Sequence, residues 1–228
     1  AHTILEIVFS PDGELLAIVL NSDTVVLESM TKGTRYRRLH APKGLRYVMF
    51  SPDSMFLASM SDYGTESVFR MWKTTTKDQI GLDDHENLGE TFAFSPSSRL
   101  VVFASGEGIL KLWDVTSGVV NNILGGTEMR RLRNEAQIIV FSPDGNLIAS
   151  AGKTEIMLWD VESRALVDRF AVDPAGPWIT SLSFSPDRRH LRSNLGYHRL
   201  QTNDSSCSDD RSFLSIREDW ILFGTSSF

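Results

Sequence analysis

The tripeptide Phe-Ser-Pro occurs five times in 228 residues, beginning at Phe9, Phe50, Phe94, Phe141 and Phe184, at steps of 41, 44, 47 and 43 residues. A period of that length marks one supersecondary unit used repeatedly. Each copy follows an alternating apolar segment (ILEIVF, LRYVMF, TFAF, AQIIVF, ITSLSF), the pattern of a half-buried strand. A second apolar run comes after it, as in LLAIVL, MFLASM, LVVFAS and NLIAS. The join is SPDG or a variant. Pro11, Pro52, Pro96, Pro143 and Pro186 fix φ and offer no N–H, aspartate can bond the nearby backbone, and glycine accepts positive φ. Only Gly13 and Gly145 keep the glycine. Ser54, Ser98 and Arg188 replace it, so those three turns are expected to be strained or differently shaped.

A third strand is predicted about 20 residues after each phenylalanine, ending at Trp72, Trp113 and Trp159, with Glu28 at that place in the first copy. A weaker fourth strand follows in VVNNIL and ALVDRF. Four strands per repeat of this length make one blade of a β-propeller. The expected fold is therefore all-β, with about five four-stranded blades at roughly 1–40, 41–84, 85–130, 131–172 and an irregular 173–228, in a ring that five copies either close or leave incomplete and open. Helical repeats of this length would need apolar residues at 3.6 spacing, whereas these runs are short, β-branched and broken by Pro, Gly, Ser and Asp. One blade cannot bury both of its faces, so stability is expected from stacking each blade on its neighbours.

The clearest copy, VFSPDGNLIASAGKTEIMLWD from Val140 to Asp160, resembles the WD-repeat family, and the resemblance covers nearly the whole chain. Trp113-Asp114 and Trp159-Asp160 carry the family's ending, Trp72-Lys73 departs from it, and the first copy lacks it. His85 and His40 lie near the place of the family's histidine, and Gly125-Gly126-Thr127 resembles its Gly-His-Thr with the histidine replaced. The family's buried network of Asp, His, Ser or Thr, and Trp is thus incomplete here, which predicts looser blades. The tail, in HLRSNLGY (190–197) and LSIREDWI (214–221), resembles the last repeats of fungal NACHT-type receptors, the group that includes the vegetative-incompatibility proteins. In that family the repeats look like a sensor attached to a nucleotide-binding switch. The chain has no GxxxxGK[ST] phosphate loop, so such a switch is expected in sequence upstream of Ala1. The opening AHTILEIVFS, already a strand pattern and without an initiator methionine, suggests a segment of something longer.

The resemblance implies a non-catalytic module that holds other proteins, and the residues offer little to catalysis. With 29 acidic and 23 basic residues the net charge is −6, the wrong sign for neutralising nucleic-acid phosphates. No run approaches the ~18 apolar residues of a membrane helix. The lone cysteine, Cys207, allows no internal disulfide, and a reducing, cytoplasmic setting is expected. No cofactor or metal is expected: His2, His40, His85, His190 and His198 are scattered, and His190, His198, Cys207, Asp209 and Asp210 read as an exposed serine-rich loop rather than a metal site. The propeller alternatives are a general assembly scaffold and, more remotely, a propeller enzyme or quinone-dependent dehydrogenase, which would need a ring of acidic or histidine ligands. Trp72, Trp113 and Trp159 are expected between blades, because the repeat fixes their position. Trp178, in DPAGPWIT, falls outside the repeat and is a candidate for partner binding, as are Tyr63, Arg130 and Arg131 in comparable connections.

Overall fold

A computed structural model describes residues 3–21, 23–31, 37–41, 43–63, 66–76, 78–80, 88–105, 110–123, 137–153, 155–173 and 175–200. Every regular element among them is a β-strand. In the first sheet, β1 (Ile4–Phe9), β2 (Leu15–Leu20), β3 (Thr24–Ser29) and β4 (Arg37–His40) lie in chain order. The second holds β5 (Leu45–Phe50), β6 (Phe56–Tyr63), β7 (Glu66–Lys73) and β8 (Gln79–Ile80). The third holds β9 (Leu88–Phe94), β10 (Leu100–Ser105), β11 (Leu110–Asp114) and β12 (Val120–Ile123). The fourth holds β13 (Ile138–Phe141), β14 (Leu147–Ala151), β15 (Glu155–Asp160) and β16 (Leu166–Ala171). Three strands complete the described set: β17 (Leu182–Phe184), β18 (His190–Ser193) and β19 (Gly196–Arg199). All neighbours within a sheet are antiparallel. These are blades 1 to 5 of a WD-type propeller array.

The hairpin joining the first two strands of each blade is one structure built five times. The backbone N–H of Gly13, Ser54, Ser98, Gly145 and Arg188 donates to the carbonyl of the motif serine three residues earlier, at 2.9 Å in every case. All five residues sit at positive φ, 73°, 62°, 60°, 76° and 59° respectively. This is a turn followed by a left-handed residue, which matches the twist of the flanking strands. The serine hydroxyl bridges the loop: it accepts from Leu15, Phe56, Leu100 and Leu147 N–H at 2.9 to 3.0 Å, and donates to the aspartate wherever one follows. Of the two expectations for Ser54, Ser98 and Arg188, strain holds, since all three are non-glycine residues at positive φ, while a different turn shape is corrected. Local hydrogen bonding fixes the shape, and the three side chains bear the cost of left-handed φ while reaching across to the preceding blade.

Pairing registers define the two faces of each blade. In blade 2, Phe50 lies opposite Leu57 and Leu57 opposite Trp72; in blade 3 the row is Phe94, Val101, Trp113, and in blade 4 Phe141, Ile148, Trp159. We call this the Phe face. Alternation puts Ala17, Val19, Val25 and Leu27 of blade 1 on the opposite face. Apolar layers then form at every seam by one rule, the Phe face of a blade against the opposite face of the blade before it. Ala17, Val19 and Leu27 meet Phe50, Leu57 and Trp72. Ala58, Met60 and Met71 meet Phe94, Phe103 and Trp113. Val102, Leu110 and Leu112 meet Ile148, Met157 and Trp159. Ala149, Ile156 and Leu158 meet Leu182, Leu191 and Phe184.

Candidate functional site

The motif residues do not converge on a site; they build seams and turns. Trp72, Trp113 and Trp159 are buried, as are Phe50 and Phe94, while Phe141 and Phe184 are half-buried. The five prolines stand exposed at the turn tips. Phe9 differs from its counterparts, at 59% exposed, because none of the described blades lies against its face. The buried polar network varies from blade to blade. Trp159 Nε1 donates to Ser150 Oγ at 3.0 Å, but the place of Ser150 is taken by Phe103 in blade 3, and Trp113 Nε1 has no partner among the described residues. The Phe103 ring instead joins an aromatic cluster with Phe69, at 4.7 Å between centroids, and the Tyr47 hydroxyl accepts a hydrogen bond from the Phe92 amide at 2.8 Å.

The aspartate ending the third strand also has a local use. Asp114 accepts from the backbone N–H of Thr116 and Ser117 and pairs with Arg99 at 2.7 Å; hydrogen bonding from Arg99 holds its carboxyl below the usual range. Lys73 holds that position in blade 2. It lines a cleft of about 450 Å³ between blades 2 and 3 with Asp53, Arg99 and Thr116. Because Arg99 is already paired with Asp114 and Asp53 lies alongside, the cleft has no concentrated charge.

An exposed tryptophan on an anchored stretch of backbone lies at blades 4 and 5. Trp178 is 51% exposed, while its neighbour Ile179 is buried in the seam layer. Asn194, in the turn between β18 and β19, clamps this stretch: its Nδ2 donates to the Trp178 carbonyl at 2.9 Å and its Oδ1 accepts from Thr180 N–H at 2.8 Å. Lys153 Nζ lies 5.3 Å from the Trp178 ring centroid, in cation–π range. The indole is thus held outward by a fixed backbone. On the same blade Arg192 lies 5.8 Å from the centre of the Tyr197 ring, and Tyr197 is exposed too. Trp178 was visible in the sequence as an aromatic outside the repeat; Asn194 and Lys153 carry no comparable signal, apart from the turn composition of Asn-Leu-Gly.

Of the other candidates, Tyr63 ends β6 with its side chain outside the described residues, and Arg130 and Arg131 lie outside them altogether, as do His2, His85, Cys207, Asp209 and Asp210. His190 and His198 fall on opposite faces of blade 5, since His198 pairs with Leu191, the residue after His190. Burial against blade 4 pushes the His198 imidazole below its ordinary pKa. No group of three His, Cys, Asp or Glu able to hold a metal occurs among the described residues. No helix among them is long and apolar enough to cross a membrane.

Residues 136–160, most of β13 to β15 of blade 4, match the family model described as WD domain, G-beta repeat. Blade 4 thus matches a WD repeat in sequence, and the chain as a whole is similar to WD-repeat proteins. The chain is 25% identical over 200 residues to rat apoptotic protease-activating factor 1, covering 68% of this chain and 16% of that protein. It is 33% identical over 119 residues to the small ribosomal subunit protein RACK1 of Caenorhabditis elegans, covering 50% of this chain and 34% of the relative. It is 26% identical over 204 residues to transcription initiation factor TFIID subunit 5 of the same worm, covering 85% of this chain and 30% of the relative. The chain spans about a third or less of these relatives.

Proposed function

We propose that the chain is a non-catalytic protein-interaction module, the sensing end of a NACHT-type signalling receptor acting in the cytoplasm. The observation that carries the interaction reading is Trp178, an exposed indole on a backbone anchored by Asn194 and flanked by Lys153. Exposed Trp, Tyr and Arg dominate binding energy at interfaces, and a side chain ordered beforehand loses little entropy when a partner arrives. The receptor reading is supported by the HLRSNLGY stretch, which forms β18 and the start of β19, and fits the similarity to apoptotic protease-activating factor 1. The test is affinity capture from cytoplasm of the source cells, with bound proteins identified and their affinity measured. Trp178→Ala is expected to weaken a genuine partner by about 2 kcal/mol, roughly 30-fold. Retention of every partner at full affinity would remove the site.

A second reading is a general assembly scaffold. It is favoured by the similarity to RACK1 and to the TFIID subunit, whose names place those proteins in multi-subunit complexes. Sequencing the gene upstream of the codon for Ala1 separates the two. A phosphate-binding loop and switch domain there support the receptor; their absence supports the scaffold.

A further inference from the structure

In four of the five hairpins the residue after the proline is an aspartate: Asp12, Asp53, Asp144 or Asp187. Its carboxylate accepts from the motif serine hydroxyl at 2.5–2.6 Å and from the backbone N–H two places on at 3.0–3.2 Å. Blade 3 has Ser97 at that place. The Ser97 hydroxyl lies 3.0 Å from that of Ser95, and the Arg99 amide has no such acceptor among the described residues. The backbone of the turn is otherwise the same, so a donor that four blades satisfy with an anion is left without one here.

Two cations stand beside this turn. Ser97, Lys73 and Arg99 line the cleft of about 450 Å³ between blades 2 and 3, together with Asp53, whose carboxylate is already used in its own turn. Arg99 is held by Asp114, whereas Lys73 is exposed and makes no ion pair among the described residues. We propose that Ser97 is a phosphorylation site, whose phosphate takes the aspartate's place in the turn and straps blade 3 to blade 2 through Lys73.

Of the hydroxyls in the turn, Ser97 is the one an enzyme can reach. Ser95 and Ser98 are buried and bonded, to the Leu100 and Asp53 amides respectively, while Ser97 is exposed and has a single hydroxyl contact to give up. Arg99, exposed two residues on, supplies the kind of charge by which a kinase with an acidic substrate groove selects its serine. In the transfer, Ser97 Oγ bonds to the γ-phosphorus of ATP as the bond from that phosphorus to the bridging oxygen breaks. ADP leaves, and the hydroxyl proton passes to a carboxylate of the kinase. The phosphate brings a charge of about −1.5 to −2 and three acceptor oxygens. These stand one bond further from the backbone than a carboxylate's, so one meets the Arg99 amide while the others extend toward Lys73. A balanced cleft has little hold on a free anion, but a phosphate tethered to Ser97 needs no net charge to stay.

The intact protein is incubated with Mg-ATP and whole-cell extract of the source cells, and modified residues are read by mass spectrometry. Phosphate on Ser97, absent from Ser97→Ala, is expected. A chain unmodified at Ser97, or modified there no more than at other exposed serines, overturns the proposal. Protein made with phosphoserine at position 97 tests the strap. Its thermal midpoint is expected roughly 2–4 °C above the parent's, the shift that one net charge-assisted hydrogen bond gives a chain of this size. Hydrogen exchange at the Arg99 amide is expected to slow several-fold. Lys73→Gln is expected to remove most of the thermal gain from the phosphorylated chain and to leave the unmodified chain unchanged. Ser97→Asp is expected to slow exchange at the Arg99 amide with or without Lys73. A phosphorylated chain that melts at or below the parent's midpoint, or a gain indifferent to Lys73→Gln, overturns the proposal as well.

Discussion

The hydroxyl of Ser54 accepts a hydrogen bond from the backbone amide of Asp12 at 3.2 Å, across the seam between blades 1 and 2. Ser98 repeats the arrangement with the Asp53 amide at 3.0 Å, and the Arg188 guanidinium reaches the Asp144 carboxylate in the same direction. In these three turns the residue in the left-handed place thus ties its blade to the one before. Two effects oppose each other there. A non-glycine residue costs about 1–2 kcal/mol at left-handed φ, and the hydrogen bond returns about 1 kcal/mol. Ser54→Ala keeps the strain and loses the bond, so destabilisation of about 1 kcal/mol is expected in chemical denaturation. Ser54→Gly loses both and is expected to lie within about 0.5 kcal/mol of the parent, or above it. No loss in Ser54→Ala would show that the seam bond contributes nothing, and equal losses in the two variants would show that the left-handed φ carries no cost.

Trp159 and Trp113 occupy equivalent places, but among the described residues only Trp159 has a polar partner. Trp159→Phe leaves the Ser150 hydroxyl without its indole donor, whereas Trp113→Phe removes a buried N–H that is already unpaired. Both lose ring volume. The first is therefore expected to cost about 1 kcal/mol more than the second in thermal or urea unfolding. Near-equal costs would show that the Trp159 to Ser150 bond contributes no net stability.

Asp144 gives the acid side of the stability curve a specific origin. Burial raises its pKa, but the Ser142 hydroxyl, the Asn146 amide and Arg188 together outweigh that and bring it down to about 2. A carboxylate with a lowered folded pKa contributes stability that is complete above the ordinary value of 3.8 and is lost as pH falls toward 2. Asp144→Asn should be less stable than the parent at neutral pH, with the gap closing between about pH 4 and pH 2. A gap unchanged over that window would mean that the charge is irrelevant.

His198 packs on the Phe170 ring at 5.0 Å between centroids, in the layer between blades 4 and 5. Since burial disfavours its cation, the folded pKa lies below the ordinary 6.5, and the associated stability is present above that value and lost as pH falls through the folded pKa. Its imidazole resonances are expected to titrate below 6.5 in a nuclear magnetic resonance titration. A midpoint at or above it would mean that the ring is solvated.

Sequence reasoning located the hairpins because their chemistry is local: Ser142, Pro143 and Asp144 act within a few residues of one another. The stacking of Trp72, Trp113 and Trp159 was legible for a related reason, since the repeat carries them to the same row in each blade. What the replacements for glycine do was hidden, because the partner of Ser54 lies 42 residues away and that of Ser98 lies 45. Phe9 was indistinguishable from Phe50 in the sequence, since its exposure depends on the neighbouring blade and not on its own strand. Trp178 stood out through its place, but its clamp by Asn194 depends on how blade 5 folds back.

Gly145 has no side chain to reach backward, and a Cβ built there would stand 3.5 Å from Cδ of Pro96. At that distance a Cβ would make ordinary van der Waals contact, so the left-handed φ of 76° is what favours glycine here, and the turn forgoes the tie that Ser54, Ser98 and Arg188 provide elsewhere. Side-chain fastening at the turns therefore joins blade 1 to 2, 2 to 3 and 4 to 5, and leaves the seam between blades 3 and 4 to its apolar layer.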